Sequence, residues 1–179
     1  MNAYESKVSK SIEWYTPEWI FSSLGNPIFD LDPCSPGQQN TNVPARKVFT
    51  IADDGLAQEW HGNVFLNPPF GRGVEKWLRK CHYLAASGGG SAIALVPSRT
   101  DTRWFQEAMQ TADIAVFLKG RVKFHLNDIH TPPIGSPGFG TVLIGWGEYA
   151  NQVLGNAHFD GFTCTPISNK NTTRESCRA

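Results

Sequence analysis

The stretch that decides the fold reads Asn-Val-Phe-Leu-Asn-Pro-Pro-Phe and covers residues 63–70. Its apolar run, Val64 to Leu66, has the length and composition of a short buried strand. Two prolines then end the strand, because neither can donate a main-chain hydrogen bond to a ladder. Residues 73–86 follow with apolar side chains at helical spacing. The order strand, turn and helix indicates an α/β protein, in which ligands bind beyond the carboxyl ends of the strands.

On both sides of this stretch, short apolar strands alternate with helices. We predict helices at residues 18–24, 73–86 and 101–111, strands at 28–31, 48–52, 63–66, 92–96, 114–118 and 141–146, and a further short strand at 122–124. Thr16 is predicted to cap the first helix, with Pro17 in its first turn. The alternation predicts an α/β sandwich with a mostly parallel sheet flanked by helices.

Acidic side chains accompany the ends of two predicted strands, and an amide follows a third. Asp30 and Asp32 belong to the first, Asp53 and Asp54 to the second, and Asn67 to the third. Because the carboxyl ends of parallel strands meet at one edge of a sheet, we expect these three segments to line one crevice.

The charge of the chain is unevenly distributed, although the net charge is zero. Residues 71–123 hold nine Lys and Arg against four Asp and Glu, whereas residues 1–70 hold four against eight. The positive middle segment is compatible with a polyanionic partner, and an ordinary uneven surface is the alternative.

Composition excludes several classes of protein. No apolar run approaches the roughly 18 residues that cross a bilayer, and residues 1–10 lack the apolar core of a signal peptide. We therefore expect a cytoplasmic protein without a membrane segment. The cysteines have neither metal-ligand spacing nor the pattern of a disulfide framework, so no metal is expected. They are Cys34, Cys81, Cys164 and Cys177.

The length of 179 residues suits a single domain. We expect the core at residues 12–147 and loose ends at 1–11 and 156–179, in a monomer or weak dimer.

Residues Asn67 to Phe70 suggest a particular chemistry. An exocyclic aromatic amine is a poor nucleophile, because its lone pair is delocalised into the ring. Two acceptors, the Asn67 side-chain oxygen and the Pro68 carbonyl, can hold the nitrogen and stabilise the positive charge that develops on attack. Phe70 can stack on the ring that carries the amine. The alternative is that Asn-Pro-Pro is only a turn after a strand.

Four segments together resemble the phage-type DNA N6-adenine methyltransferase (Dam-like) family of phages and prophages. In order along residues 12–147 they are Trp14-Tyr15-Thr16-Pro17, Phe29-Asp30-Leu31-Asp32-Pro33, Asp54-Gly55-Leu56 with Trp60, and Asn67-Pro68-Pro69-Phe70. The resemblance implies a compact Rossmann-like methyltransferase that uses S-adenosyl-L-methionine to methylate N6 of a flipped-out adenine in DNA. It also implies a bacterial or phage-infected host cell.

The resemblance assigns roles to individual residues. Catalysis is implied for Asn67, Pro68, Pro69 and Phe70. Cofactor binding is implied for Trp14, Thr16, Pro17, Asp30, Asp32, Pro33, Cys34, Asp53 and Asp54. Among these, Thr16 and Pro17 are expected at the methionine end, and Asp54 is favoured over Asp53 for the adenine or ribose.

The chain departs from the family pattern in two places. The usual Gly-x-Gly turn after the first strand is reduced to Gly37. The interval between Asp32 and Asn67 is also short, so we expect one or more helices there to be shortened, missing or replaced by loop.

Six cations in the positive middle segment are candidate DNA contacts. They are Arg72, Arg99, Arg103, Lys119, Arg121 and Lys123. The alternative for the arginines near residue 101 is solvated side chains at a helix N-terminus, and for residues 119–123 an ordinary strand with one wet face. The loop 131–140, with three prolines and three glycines, is expected to take part in target recognition.

Three other functions stay open at this point. Asn-Pro-Pro-aromatic motifs also serve methyltransferases that act on amines of RNA bases or on glutamine amides of proteins. The reduced glycine turn is compatible with a catalytically inactive DNA-binding relative.

Overall fold

The computed structural model describes residues 13–167, which form nine strands and four helices. The strands are β1 (Trp14–Tyr15), β2 (Phe29–Asp32), β3 (Ala45–Val48), β4 (Gly62–Leu66), β5 (Gly90–Pro97), β6 (Ile114–Leu118), β7 (His125–Leu126), β8 (Thr141–Trp146) and β9 (Gly161–Cys164). The helices are α1 (Glu18–Ser23), α2 (Val74–Ala86), α3 (Arg103–Thr111) and α4 (Glu148–Gly155). The strand–turn–helix unit predicted around residues 67–70 is confirmed, as is the late strand at 141–146.

Seven strands form one sheet in the order β3-β2-β4-β5-β8-β6-β9. The pairings β3–β2, β2–β4 and β4–β5 are parallel, whereas β5–β8, β8–β6 and β6–β9 are antiparallel. The sheet is therefore mixed, and the prediction of a mostly parallel sheet holds only for its first half. After β6 the chain returns through a long loop instead of a crossover helix, so β8 enters antiparallel between β5 and β6.

The strand order reverses at β2. The chain passes from β2 to β3 on one side and then crosses back to β4 on the other side. In open α/β sheets such a reversal creates a crevice beyond the carboxyl ends of the two flanking strands. The residues that follow β2 and β4 consequently share one crevice.

The connections before and after β3 contain no helix, as predicted. Residues 33–44 and 49–61 lie within the described part of the chain and run as turns and extended segments. Prolines at 33, 36 and 44 disfavour a helix in the first connection. β3 begins earlier than predicted, because the apolar residue that suggested a strand at 48–52, Ile51, is 98% exposed whereas Val43 and Ala45 are buried.

Helices cover both faces of the sheet. On one face, α2 and α3 pack on a cluster that includes Val64 and Leu66 of β4. On the other face, α1 and α4 pack on a cluster that includes Phe65. Phe65 and Leu66 are completely buried, and burial of each such side chain contributes about 1.5–3 kcal/mol. This packing on both faces fixes the end of β4, and with it the start of the Asn-Pro-Pro turn.

A second, two-stranded sheet joins distant parts of the chain. β1 pairs antiparallel with β7, with Trp14 opposite Leu126 and Tyr15 opposite His125. β7 takes the place of the short strand that was predicted at 122–124. At those residues only a bridge between Phe124 and Gly135 forms. The chain before α1 is thereby attached to the loop between β6 and β8.

The expectation of a loose end after residue 155 is corrected by β9. Gly161–Cys164 pairs along β6, and Phe162 stacks on Phe117 with ring centroids 4.8 Å apart. The expected loose residues 1–11 and those beyond 167 lie outside the described residues. Between residues 13 and 167, no helix has the length and apolar character that spanning a membrane requires.

Candidate active site

A cavity of about 400 Å³ lies at the carboxyl ends of β2, β3 and β4. It is formed where the strand order reverses, as expected for a ligand site in an open α/β sheet. Its lining comes from β1, from the connections that follow β2 and β3, and from the turn after β4. The lining residues are Glu13, Trp14, Tyr15, Thr16, Asp32, Cys34, Pro36, Thr41, Val43, Ile51, Asn67, Pro68, Pro69 and Phe70.

Asn67 has one polar end engaged and the other without a partner. Its Nδ2 donates a hydrogen bond to the main-chain carbonyl of Trp14 over 2.6 Å. Its Oδ1 is buried and accepts no hydrogen bond from any described residue. A buried polar atom without a partner costs about 1–3 kcal/mol. The arrangement therefore leaves an acceptor for which none of the residues 13–167 provides a donor.

The other three residues of the motif define the wall beside this acceptor. Pro68 is buried, whereas Pro69 is exposed. The ring of Phe70 meets the rings of Phe124 and Phe139 edge to face, with centroids 6.0 and 5.8 Å apart. These two contacts fix the plane of the Phe70 ring at the mouth of the cavity.

Thr16 does not cap helix α1, contrary to prediction. Pro17 occupies the cap position, and no side chain makes a capping hydrogen bond there. Thr16 instead lines the cavity, and its hydroxyl oxygen is buried without a hydrogen-bond partner among residues 13–167. The Thr16 carbonyl accepts a hydrogen bond from Asn42 Nδ2 over 3.0 Å, which holds this segment against the connection after β2.

Asp32 supplies a carboxyl group that is 2% exposed. Burial raises its pKa to about 7, and hydrogen bonds from the Cys34 amide and the Ser35 hydroxyl oppose this increase only in part. Burial also raises the pKa of the Cys34 thiol to about 12. Cys34 therefore lines the cavity as a neutral thiol, which lacks the nucleophilicity of a thiolate.

Glu13 and Tyr15 are cavity residues that the sequence prediction missed. The Tyr15 hydroxyl donates to Glu13 Oε2 over 2.5 Å. Burial, and then the Glu13 carboxylate, raise the pKa of Tyr15. Their position on either side of Trp14, a predicted cofactor residue, was the available signal. Sequence offered no comparable signal for the other missed lining residues, Pro36, Thr41, Val43 and Ile51.

The cavity is acidic. Asp32 and Glu13 contribute carboxyl groups, and none of its lining residues among those described is Lys or Arg. In a partly enclosed site of low dielectric constant, this composition favours a ligand that carries positive charge.

Asp30 was expected at the cofactor but does not line the cavity. It lies inside β2, where its Oδ2 accepts from the Asn63 amide over 2.8 Å and its Oδ1 pairs with Arg46 at 2.5 Å. The hydrogen bond from Asn63 is the main cause that lowers the pKa of Asp30. The carboxylate therefore joins β2 to the start of β4. Pro17, at the start of α1, also lies outside the lining.

Asp53 and Asp54 do not line the cavity either. Asp53 Oδ2 accepts hydrogen bonds from the amide and hydroxyl of Thr50, over 2.7 and 2.8 Å, which closes a turn. Asp54 has a left-handed backbone with φ of 50°. Both shape the connection after β3, from which only Ile51 reaches the lining.

The connection after β3 contains the motif Asp54-Gly55-Leu56, and packing explains why its middle residue is glycine. A Cβ at residue 55 would lie 2.0 Å from the carbonyl oxygen of Pro33. The Gly55 carbonyl accepts from Trp60 Nε1 over 2.8 Å, and Trp60 stacks on Trp77 of α2. The segment therefore supports the turn that carries Pro33 and Cys34 from behind. Pro33 was predicted to bind the cofactor, but it does not line the cavity. Its carbonyl lies against Gly55, so Pro33 contributes to the packing of the turn.

Five of the six candidate DNA-contacting cations lie at the edge of the sheet that holds the cavity. Arg72 follows the motif, Arg99 follows β5, and residues 119–123 follow β6, which runs in the same direction as β4 and β5. Two of them have carboxylate partners, Lys119 with Asp160 at 3.0 Å and Arg99 with Asp101 at 3.8 Å.

Arg103 is held differently. It lies on α3 and donates to Glu107 over 2.7 Å, and Glu107 also pairs with Arg79 of α2 at 2.8 Å. This cluster connects two helices. Arg121 and Lys123, by contrast, are both exposed, and neither forms an ion pair within residues 13–167.

Comparison with known proteins gives one match. A family model described as DNA N-6-adenine-methyltransferase (Dam) matches residues 5–155. No curated protein and no solved structure matches the chain. Across the described residues, no group of three or more His, Cys, Asp or Glu side chains could hold a metal ion.

Proposed function

The chain belongs to the DNA N-6-adenine-methyltransferase (Dam) family, and from this premise we propose that it uses S-adenosyl-L-methionine to methylate the N6 amine of a flipped-out adenine in DNA. Membership of the family implies DNA adenine methyltransferase activity. The proposal adds the cofactor, the state of the base and the residues that act on it.

The free acceptor of Asn67 is the observation that carries the proposal. An adenine amine has two N–H groups and a delocalised lone pair, so acceptors that hold both N–H groups favour attack. Asn67 Oδ1, which lacks a partner in the described part of the chain, accepts one of them, and the Pro68 carbonyl is proposed to accept the other. The contribution is positioning and electrostatic stabilisation, and no strong base is needed.

The lining of the cavity fits the proposed cofactor. S-adenosyl-L-methionine supplies an electrophilic methyl group when bound, and it carries a sulfonium and an ammonium charge. Asp32 and Glu13 offer carboxyl groups to a cation, and the unpaired Thr16 hydroxyl offers a hydrogen bond to the methionine end. The cavity volume of about 400 Å³ falls in the roughly 300–1,000 Å³ range of small-molecule sites. We propose Trp14 and Cys34 as further walls of this site.

The base must leave the duplex to reach Asn67, because its N6 amine is otherwise paired inside the stack. Extrusion costs a few kcal/mol, and stacking on an aromatic side chain returns about 1–3 kcal/mol. Phe70 is proposed to supply that stacking, since Phe124 and Phe139 hold its ring in one plane at the mouth of the cavity.

The sheet supports a methyltransferase variant of the Rossmann-like fold. Four parallel strands carry the crevice at a reversal of strand order, and antiparallel β8 lies between β5 and β6. We propose that the cations at this edge, Arg72, Arg99, Lys119, Arg121 and Lys123, contact the DNA backbone. Arg103 is left out of this set because Glu107 holds it on α3.

A transfer assay tests the proposal. The protein is incubated with methyl-labelled S-adenosyl-L-methionine and either unmodified genomic DNA, RNA or a protein extract, and modified bases are mapped in the DNA. Label in N6-methyladenine of DNA is expected. Label only in RNA or protein would transfer the same chemistry to another amine or amide. Calorimetry without any cofactor binding would favour an inactive DNA-binding relative.

A further inference from the structure

We propose that Ile134 enters the base stack at the position that the target adenine leaves, and so stabilises the extruded state. This inference rests on the proposed function, because it presupposes a duplex DNA substrate. It assigns a role to a side chain that neither the motif nor the cofactor cavity uses.

Ile134 is an apolar side chain in an unusual position. It is 72% exposed, and it lies in the loop that connects β7 to β8 at the edge of the sheet carrying the cavity. An isolated exposed Ile on an ordinary surface needs no explanation. Here it lies at the same edge of the sheet as the loops that carry Arg72, Arg121 and Lys123, where a polyanion would be expected to dock.

The main chain beside Ile134 is firmly attached to the catalytic motif. Gly135 exchanges two hydrogen bonds with Phe124, over 2.7 and 3.0 Å. Phe124 is buried and contacts the Phe70 ring. A displacement of residue 134 relative to Phe70 would have to break this bridge.

The packing of Gly135 prevents the loop from moving inward. A Cβ at this position would lie 2.3 Å from Leu126 Cδ2 and 2.8 Å from the Trp14 ring. Gly135 therefore lies directly on the two side chains that pair in the β1–β7 sheet. The neighbouring Ile134 side chain is left outside, facing solvent.

Two prolines reduce the freedom of the segment that leads to Ile134. Pro132 and Pro133 each have φ fixed near −65°, so less conformational entropy is lost when the loop meets a partner. An exposed apolar side chain on a stiffened segment is the kind of element that proteins insert between base steps. Insertion of Ile134 would fill the space that the extruded adenine vacates and would remove its apolar surface from water.

The test compares Ile134→Ala with the matched control Ile28→Ala. Ile28 is also an exposed isoleucine, 58% accessible, but it precedes β2 and so lies at the opposite edge of the sheet. Two duplexes are methylated under single-turnover conditions. In one, the target adenine is paired with thymine, and in the other it faces an abasic site, where extrusion is already favoured.

We expect Ile134→Ala to slow methylation of the paired duplex on the order of tenfold or more, because stacking that opposes reclosure is removed. The abasic duplex should be methylated at nearly the normal rate, and Ile28→Ala should leave both rates unchanged. With 2-aminopurine at the target position, Ile134→Ala should also lower the fluorescence increase that reports extrusion. The affinity for S-adenosyl-L-methionine should not change.

Equal losses on both duplexes, or no loss on either, would overturn the role of Ile134 while leaving the methyltransferase function in place. If the unmodified protein methylates neither duplex, the proposed function fails, and this inference fails with it. Unchanged DNA methylation together with loss of a protein partner would assign Ile134 to a protein interface instead.

Discussion

The side-chain amide of Asn67 donates from Nδ2 to the main-chain carbonyl of Trp14 over 2.6 Å, and this bond determines which end of the amide faces the cavity. An amide presents a donor and an acceptor that differ little in shape. With the donor engaged by Trp14, the acceptor is the end that we propose to receive a substrate amine. The orientation of Asn67 therefore depends on a residue 53 positions earlier in the chain.

Replacement of Asn67 by Ala should abolish most of the methyl transfer without weakening cofactor binding. The removed acceptor acts mainly in the transition state, so the single-turnover rate should fall about 10²–10³-fold, as it does when one oxyanion-hole donor is removed. Calorimetry should give an unchanged Kd for S-adenosyl-L-methionine. Asn63→Ala, on the same strand, serves as the control. Near-normal turnover by Asn67→Ala would reject the proposed mechanism.

Asp32 should make the stability of the free protein depend on pH near neutrality. Its pKa is about 7 in the folded protein, against an ordinary value of 3.8, so the folded state binds the proton more tightly. The free energy of unfolding should therefore fall as pH rises from about 4 to about 7 and then level off. Thermal melts across this range should show the decline for the native protein, and Asp32→Asn should remove it. Persistence of the decline in Asp32→Asn would assign it to another group.

Ionisation of Asp32 should strengthen cofactor binding, although it lowers the stability of the free protein. Ionised Asp32 attracts a cation, so the Kd for S-adenosyl-L-methionine should decrease as pH rises through 7. S-adenosylhomocysteine lacks the sulfonium charge and should show a smaller dependence. Calorimetry with both compounds at several pH values measures the difference, and a pH-independent ratio of the two affinities would contradict the role of Asp32.

Gly55→Ala should weaken cofactor binding from outside the cavity. The new methyl group would lie 2.0 Å from the Pro33 carbonyl, so the turn that carries Cys34 must shift. Overpacking of this kind typically costs about 1–3 kcal/mol of stability, and the Kd for S-adenosyl-L-methionine should rise as well. Gly138→Ala, where an added Cβ meets nothing within 4 Å, is the matched control. Unaltered binding in Gly55→Ala would show that the turn adjusts independently of the cavity.

The candidate DNA-contacting cations should differ in their effect on DNA binding. Arg121 and Lys123 are exposed on either side of buried Val122, so the double change to Ala should reduce affinity for all sequences alike. The slope of log K against log salt should become shallower by about 0.9 for each phosphate that the variant no longer neutralises. Arg103→Ala, which removes a partner of Glu107, should leave the slope unchanged. A slope that does not distinguish the two variants would place the DNA elsewhere.

Local pattern was sufficient for the strand–turn–helix unit at residues 62–86, because an apolar run, two prolines and an amphipathic run each restrict the backbone independently. Pattern could not show that Asp30, Asp53 and Asp54 lie outside the cavity lining. An acidic residue near the end of a strand can bind a ligand or satisfy main-chain amides, and these options differ only in three-dimensional contacts. Asp30 takes the Asn63 amide, and Asp53 takes that of Thr50.

The predictions of a Thr16 helix cap and of a mostly parallel sheet were wrong for related reasons. Thr before Pro at a helix start suggests a cap, but Thr16 makes no capping hydrogen bond and instead lines a cavity that forms only when β1, β2 and β4 come together. The antiparallel entry of β8 depends on a long loop after β6, and the apolar run of β8 carries no information about its direction.

The pairing of β1 with β7 has a consequence for the time at which the site becomes complete. Glu13 and Asn127 are hydrogen-bonded although they lie 114 positions apart, and the carbonyl that orients Asn67 belongs to Trp14, the residue that follows Glu13 and pairs with Leu126. A nascent chain that has emerged only as far as the Asn-Pro-Pro turn already contains the whole motif, yet its asparagine has no fixed orientation. The site is completed only when residues beyond 125 leave the ribosome. Translation of the segment that contains β7 therefore precedes completion of the candidate site.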